Sequence, residues 1–173
     1  MHINIEIKAR CSNQAKIREI LKSQGADSKG TDHQIDTYFS TKRGRLKLRE
    51  GKIENCLVYY ERTNQAGPKQ SDVALFKTEP NSALKEMLQK SNGVLVVVDK
   101  KREIYFIDNV KFHLDNVEGL GEFVEIEAIG SHEDLTRDDL LRQCQEYLKL
   151  FGIQEEDLIS QSYSDLILAV QPA

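Results

Sequence analysis

Polar and apolar residues alternate along the N-terminal segment of this 173-residue chain in a way that could bind charged ligands. The polar positions are Asn4, Glu6, Lys8 and Arg10, and every residue between them is apolar. Successive side chains of a strand point to opposite faces. One face of a strand here would therefore carry a carboxylate beside two cations, which suits a metal ion and an anion together.

Three cations share a face in a later segment. Arg45, Lys47 and Arg49 alternate with leucines, and Lys100 and Arg102 repeat the spacing further along the chain. Like charges on one sheet face destabilise it, so this arrangement costs free energy unless an anion lies among the cations. Arginine binds phosphate bidentately and lysine binds it as a point charge. We interpret these faces as a site for a polyanion.

Carboxylates occupy two further strand faces. Glu125 and Glu127 share one face, and Asp115 shares another with His113 and Lys111. Magnesium is bound through one or two carboxylates together with substrate phosphates, and we treat manganese in the same way. Any one of these strands is also typical of an antiparallel sheet with a solvated face, and His113 is typical of a structural hydrogen bond. The combination favours an interior that binds a polyanion with its metal ion.

Composition restricts the class of protein. The 24 Lys and Arg against 28 Asp and Glu give a net charge of −4, which argues against a general nucleic-acid binder. The three cysteines form no CxxC pair, so neither a zinc site nor a disulfide framework is expected, and free thiols suit the cytoplasm. No apolar run approaches the roughly 18 residues of a membrane span. We expect a single domain over residues 1–170.

Periodicity and turn residues predict about eight strands and three or four helices. Strands are expected over residues 2–10, 33–40, 45–50, 55–62, 71–78, 94–107, 110–116 and 122–129. Helices are expected over 12–24, from 81 or 82 to 93, 136–151 and 160–168, with Leu84, Met87 and Leu88 facing inward in the second. Short links favour antiparallel pairing. The predicted architecture is α+β, a large curled or closed antiparallel sheet with helices on its outer face.

Six segments, in order along the chain, resemble signature strands of the CYTH superfamily, the triphosphate tunnel enzymes. They are residues 4–8 (NIEIK, similar to ExExK), 36–39 (DTYF), 45–49 (RLKLR, similar to RxRxR), 100–102 (KKR, similar to KxR), the acidic pair 113–115 and 120–127, and 162–166 (SYSDL, similar to SYxxLL). The superfamily includes class IV adenylyl cyclases, thiamine triphosphatases and inorganic triphosphatases. The sequence is most similar to the class IV adenylyl cyclase branch.

The resemblance implies an eight-stranded antiparallel, closed or nearly closed β-tunnel with helices packed outside. It implies metal ligands at Glu6, Asp115, Glu125 and Glu127. It implies phosphate-binding residues at Lys8, Arg10, Arg45, Lys47, Arg49, Arg62, Lys77, Lys100 and Arg102. The residues expected to be catalytic are Glu6, Lys8, Arg49 and Glu125.

Two departures from the family pattern bear on the site. Asn4 replaces the first glutamate of the signature, which removes a negative charge and should lower metal affinity. The fourth strand ends in Tyr60-Glu61-Arg62 where the family often has Lys-Gly-Pro, and a Gly-Pro-Lys follows at residues 67–69.

The expected function is that of a Mg²⁺- or Mn²⁺-dependent enzyme acting on a small-molecule triphosphate, with neither nucleic acid nor a membrane as partner. The class IV reaction converts ATP to cyclic AMP and pyrophosphate. The alternative is hydrolysis of thiamine triphosphate, inorganic tripolyphosphate or a nucleoside triphosphate. A second alternative is a non-catalytic polyphosphate or nucleotide sensor, which the neutral Asn4 favours.

Overall fold

The computed structural model describes residues 2–131 and 134–171. The strands are β1 (His2–Arg10), β2 (Asp27–Phe39), β3 (Arg45–Glu50), β4 (Cys56–Arg62), β5 (Lys69–Lys77), β6 (Val94–Ile107), β7 (Val110–Val117) and β8 (Gly121–Gly130). The helices are α1 (Gln14–Ser23), α2 (Leu84–Asn92), α3 (Arg137–Leu150) and α4 (Tyr163–Val170), with a 3₁₀ turn at Glu155–Asp157. None of the described helices has the length and apolarity needed to cross a bilayer.

The eight strands form one closed antiparallel barrel. Their order around the barrel is β1-β5-β4-β3-β2-β6-β7-β8, and β1 pairs with both β5 and β8. Closure pairs each strand with a neighbour on both sides, although residues 27–34 of β2 and 74–77 of β5 extend beyond one of their two neighbours. The predicted α+β architecture, with an eight-stranded antiparallel tunnel, is confirmed.

The main hydrophobic core lies outside the barrel, between the sheet and two helices. Ile5 and Ile7 of β1 point outward into this core together with Ile126 of β8. Phe112 of β7 contacts Tyr147 of α3 edge to face, with ring centroids 4.7 Å apart. Because the apolar residues of these strands pack against the helices outside the barrel, the charged residues that alternate with them must point into the barrel.

Two elements differ from the predictions. β2 begins at Asp27 rather than at residue 33, because the long strand β6 continues to pair with it past a bulge between Ser28 and Gly30. Glycine and aspartate are poor strand formers, so the local sequence gave no sign of this extension. In α2 the predicted inward-facing stripe is wrong at Met87, which is 64% exposed, whereas Leu84 and Leu88 are half-buried.

The segment 158–163 closes one end of the barrel. Ile159 donates its backbone N–H to Lys8 O, and Lys69 Nζ donates to the carbonyl of Ser160 at 3.0 Å. The end of β1 and the start of β5 lie at the same end of an antiparallel barrel, so these contacts fix the segment across one opening. Ser162 then caps α4 through a capping box with Asp165.

Candidate active site

The barrel encloses a cavity of ≈ 190 Å³ to which all eight strands contribute side chains. The cationic lining residues are Lys8, Lys47, Arg49, Arg62, Lys100, Arg102 and Lys111. The anionic ones are Glu6, Asp36, Glu54, Glu125 and Glu127. The lining therefore has an excess of two positive charges, in a chain whose net charge is −4. An anion is attracted to the interior although the whole molecule would repel it.

A buried carboxylate organises the cations of β3 and β6. Asp36 accepts two hydrogen bonds from Arg49, both at 2.9 Å, and one from Lys100 at 2.7 Å. Lys47 Nζ lies 3.4 Å from the same carboxylate. Burial alone would raise the pKa of Asp36, but these cations outweigh it and hold the pKa well below its usual range. Asp36 is thus a permanent anion that fixes three cations.

Asp36 corrects one expectation from the sequence. The cations on the β3 face do have an anion among them, which comes from the neighbouring strand, where Asp36 pairs with Arg49 in register. From the sequence, Asp36 was identified only as part of the segment 36–39 that resembles a signature strand of the family. Its neighbours in the sequence do not reveal which strand lies opposite.

Glu6, Glu125 and Glu127, three of the predicted metal ligands, line the side of the cavity opposite Asp36. They differ in their ion-pair partners. Burial acts to raise the pKa of Glu6, but the ion pair with Arg62 lowers it. Glu125 lies 3.7 Å from Lys8 and 3.4 Å from Arg102, and these cations overcome burial to hold its pKa well below normal. Glu127 has no cationic partner within 4.0 Å in the described part of the chain, and burial raises its pKa.

Several buried polar atoms in this cavity lack hydrogen-bond partners among residues 2–131 and 134–171. They are Asn4 Oδ1, Arg62 Nε, Arg62 Nη2 and His113 Nε2. Buried polar atoms are nearly always paired in folded proteins, so these positions suit a ligand. The oxygen of Asn4 lies on the side chain that donates to Glu127 at 2.5 Å. This amide oxygen and the Glu127 carboxylate match the oxygen ligands that Mg²⁺ or Mn²⁺ prefers, whereas the Arg62 donors match an anion.

Asp115, the fourth predicted metal ligand, holds other side chains instead of lining the cavity. It is fully buried and accepts two hydrogen bonds from Arg102 at 2.7 Å and one from Tyr163 at 2.6 Å. Its carboxylate lies within 4.8 Å of ligand atoms of His113 and Glu125, so the three could form a metal cluster. Because Arg102 and Tyr163 already occupy its oxygens, the geometry favours a role in orienting Arg102.

Six of the nine predicted phosphate-binding residues line the cavity, and three do not. Arg10 is exposed, with its guanidinium 5.0 Å from the Phe123 ring centroid. Arg45 donates to Ser162 Oγ and to Asp165 of α4. Lys77 is exposed at the last position of β5. All three lie at strand ends, where the two-residue alternation no longer guarantees access to the interior.

Three residues near the cavity were missed by the sequence analysis. Lys111 and Glu54 line it and form an ion pair, and Lys69 is buried behind the segment that closes the barrel. Lys69 belongs to the displaced Gly-Pro-Lys, and burial lowers its pKa to about 8. Lys111 was visible as a cation sharing a face with His113. Glu54 lies in a loop and had no periodic signal.

Comparison with known proteins agrees with this architecture. A Methanocaldococcus jannaschii protein named "putative adenylate cyclase" is 28% identical over 181 residues, covering 95% of this chain and 98% of the relative. A Pyrococcus horikoshii protein of known structure is 27% identical, with a TM-score of 0.78 and coverage of 94% and 98% of the two chains.

A more distant solved structure has the same fold. It is a Hippeastrum protein described as a "putative adenylyl cyclase" with a dominant triphosphatase activity. It is 14% identical, with a TM-score of 0.66 and coverage of 100% of this chain and 98% of that chain. At that identity the likeness shows the fold alone. The model of the CYTH domain family matches residues 2–163, nearly the whole described chain. This protein therefore belongs to the CYTH domain family, whose members are adenylyl cyclase-like or triphosphatase enzymes.

Proposed function

We propose that this protein is a divalent-metal-dependent enzyme that binds a triphosphate inside the barrel and transfers one of its phosphoryl or nucleotidyl groups. One observation carries the proposal. The same cavity holds unpartnered donors on Arg62 and, on Asn4, an unpartnered oxygen beside the Glu127 carboxylate, which has no cationic partner within 4.0 Å in the described residues. An anion alone would satisfy only the first set, and a cation alone only the second. A metal-bound triphosphate satisfies both.

The residues of the chain have separate roles in this proposal. Arg62, Lys8 and Lys47 bind phosphate oxygens, while Arg49, Lys100 and Arg102 add positive charge. The metal ligands would be Asn4, Glu6, Glu125 and Glu127. When bound, Mg²⁺ or Mn²⁺ neutralises charge on the phosphate oxygens.

Preorganisation supports this division of roles. Asp36 fixes Arg49 and Asp115 fixes Arg102 through paired hydrogen bonds, so these guanidinium groups need little reorganisation when charge develops on a phosphate. Phosphoryl transfer depends mainly on positioning and charge stabilisation. Such a cavity can serve it without a nucleophile from the protein.

The first candidate reaction is the class IV adenylyl cyclase reaction. The 3′-hydroxyl of ATP attacks the α-phosphorus and loses its proton, and pyrophosphate leaves to give cyclic AMP. The name of the M. jannaschii relative, which matches along almost the full length of both chains, favours this reaction.

The second candidate is hydrolysis of thiamine triphosphate, inorganic tripolyphosphate or a nucleoside triphosphate, with water attacking a phosphorus. The cavity volume favours it. At ≈ 190 Å³ the cavity is smaller than the roughly 300–1,000 Å³ of sites that enclose whole organic ligands. It suits the phosphate chain, with any organic group left at the open end, since segment 158–163 closes the other.

One incubation series separates these reactions. The protein is supplied with ATP, thiamine triphosphate or tripolyphosphate and with Mg²⁺ or Mn²⁺, and cyclic AMP, pyrophosphate and phosphate are measured. Cyclic AMP identifies the cyclase, and phosphate identifies the hydrolase. Tripolyphosphate binding without any product would identify a sensor and overturn the proposed catalysis.

Variants tie the activity to the cavity. Lys8→Ala and Glu125→Gln should abolish turnover, whereas Lys101→Ala and Glu61→Gln, on the outside of the barrel, should retain it. Full activity in the first pair would discard the assignment. Binding without turnover is detectable by thermal unfolding, because a ligand at 100 times its Kd raises the free energy of unfolding by about 2.7 kcal/mol.

We also place the enzyme in the cytoplasm. Cys11, Cys56 and Cys144 are all free thiols, which fits a reducing compartment.

A further inference from the structure

The loop between β3 and β4 holds a carboxylate in a fixed place at the open end of the cavity. This loop spans residues 51–55, and its backbone forms hydrogen bonds with the fully buried Asp32. The Asp32 carboxylate accepts from the backbone N–H groups of Lys52, Ile53 and Glu54 at 2.7, 3.1 and 3.0 Å. A Cβ on Gly51 would lie 2.5 Å from the same carboxylate, so only glycine allows this approach.

The Glu54 side chain is fixed as firmly as its backbone. It accepts a hydrogen bond from Gln34 Nε2 at 2.9 Å, and that amide also donates to Asp32 at 3.0 Å. It pairs with Lys111 and, at 3.3 Å, with Arg49. Burial acts to raise the pKa of Glu54, but these two cations hold it well below its usual range. Glu54 therefore presents a negative charge to the cavity at neutral pH.

Glu54 lies at one end of the row of cations that β3 carries. Arg45 lies at the closed end of the barrel, where Asp165 binds it at 2.8 Å. Lys47 is in the middle, and Arg49 lies next to the loop that carries Glu54. The row from Arg45 to Arg49 covers about 13 Å. Asp165 and Glu54 thus lie at the two ends of the row, and Asp36 lies beside Lys47 and Arg49. Only Lys47 and Arg49 of this row line the cavity, so the anion-binding stretch has a finite length.

We propose that Glu54 limits the length of the phosphate chain that the cavity accepts. A triphosphate ends before this carboxylate, whereas a longer polyphosphate would place a further phosphate against it. The polyphosphate cannot shift away from Glu54 toward the opposite end of the cavity, because residues 158–163 close that end. Like charges in a poorly solvated space repel strongly. This inference rests on the proposed function and identifies the residue that sets the upper limit on the length of the phosphate chain.

Calorimetric titration in EDTA tests the inference without turnover. Tripolyphosphate, tetrapolyphosphate and a long-chain polyphosphate are titrated into the wild type, Glu54→Gln and Glu50→Gln. Glu50 is the matched control, because it lies on β3 close to the same loop but pairs with Lys85 of α2 outside the barrel. The wild type should bind tripolyphosphate at least about tenfold more tightly than the longer chains. Glu54→Gln should reduce that ratio to about threefold or less by tightening the longer chains, and Glu50→Gln should leave it unchanged.

The outcomes separate this inference from the proposed function. Equal tightening of all three anions by Glu54→Gln would mean that the residue sets charge and not length, and would overturn the inference while leaving the function intact. No polyphosphate binding by the wild type in EDTA would overturn the inference, and no binding with Mn²⁺ either would overturn the proposed function as well. If Glu54→Gln does not fold, Glu54→Asp withdraws the carboxylate by one methylene. An unchanged length ratio in Glu54→Asp would also reject the inference.

Discussion

The side-chain amide of Asn4 donates to the Glu127 carboxylate across 2.5 Å, and its own oxygen is left without a partner in the cavity. Asn4 occupies the first position of the family's strand signature, where a glutamate is usual. The amide bonds to a carboxylate that forms no ion pair within 4.0 Å among the described residues, whereas a glutamate there would repel it. In the absence of a metal, the amide of Asn4 therefore provides Glu127 with a hydrogen-bond donor that a glutamate would not provide.

Replacing Asn4 with glutamate should make stability depend on a divalent cation. In EDTA, Asn4→Glu places a further carboxylate beside Glu127 and should lower the free energy of unfolding by about 1–3 kcal/mol. Mn²⁺ should then raise the melting temperature more than in the wild type. Ile3→Glu is the control, since it adds the same charge on the outer face of the same strand. An identical Mn²⁺ response in Asn4→Glu and wild type would mean that position 4 does not contact the metal.

Removing the Arg62 guanidinium should weaken triphosphate binding more than metal binding. Two of its donor atoms have no partner in the described structure, and hydrogen bonds between charged groups contribute about 1.5–3 kcal/mol. Arg62→Gln should therefore lower tripolyphosphate affinity by about 10- to 100-fold in calorimetry. Mn²⁺ affinity should not fall, because Glu6 loses its competing ion pair. Arg43→Gln, whose side chain is 83% exposed, should alter neither affinity.

Replacing Asp36 should lower the stability of the free protein, and a bound anion should restore part of that stability. Asp36→Asn leaves Arg49, Lys100 and Lys47 without their shared anion and should cost about 3–5 kcal/mol of unfolding free energy. Tripolyphosphate should restore more stability to this variant than it adds to the wild type, because it replaces the lost charge. Asp99→Asn removes an exposed pair with His33 and serves as the control. A loss of stability that tripolyphosphate cannot recover would show that the anion does not reach these cations.

The buried lysine of β6 predicts an unusual dependence of stability on pH. Burial lowers the pKa of Lys100 to about 7, against about 10.4 in an unfolded chain. Between pH 7 and pH 10 the unfolded state then binds more protons than the folded state, so the contribution of Lys100 to stability rises with pH. Chemical unfolding should show a rise of about 3–4 kcal/mol between pH 7 and pH 10.

Variants of two neighbouring lysines isolate this effect. Lys100→Met should flatten the rise, whereas Lys101→Met, on the exposed face of the same strand, should keep it. Parallel curves for wild type and Lys100→Met would show that Lys100 stays charged throughout the range. Lys69, whose pKa is also lowered, should contribute a smaller rise in the same direction.

Alternation along single strands was enough to predict which face of β1, β3 and β8 carries the site. It follows from the pleat of a strand and needs no knowledge of neighbours. The role of Asp36 could not be predicted this way. Its partners come from β3 and β6, and only the register brings Arg49 and Lys100 to the same carboxylate.

Residues outside the periodic segments were the hardest to assign. Glu54 owes its position to a loop that Asp32 holds by backbone hydrogen bonds, and such contacts leave no pattern in the sequence. For Arg45 and Arg10 the alternating pattern was present, but the prediction that they bind phosphate in the cavity was wrong. Arg45 is bound by Asp165 at the start of β3, and Arg10 is exposed at the end of β1. Prediction from the sequence thus worked where a side chain's direction decides its role, and not where packing between distant segments decides it.

The pairing of β1 with β8 has a consequence for how the molecule is made. Lys8 lies opposite Glu125 in this ladder, so the ring cannot close until nearly all of its strands exist. Bringing such distant segments together carries a large loop-closure cost, which slows folding. While the chain is being synthesised, the N-terminal strand must keep one edge unpaired, and premature pairing with another nascent chain is the hazard that this order of assembly creates.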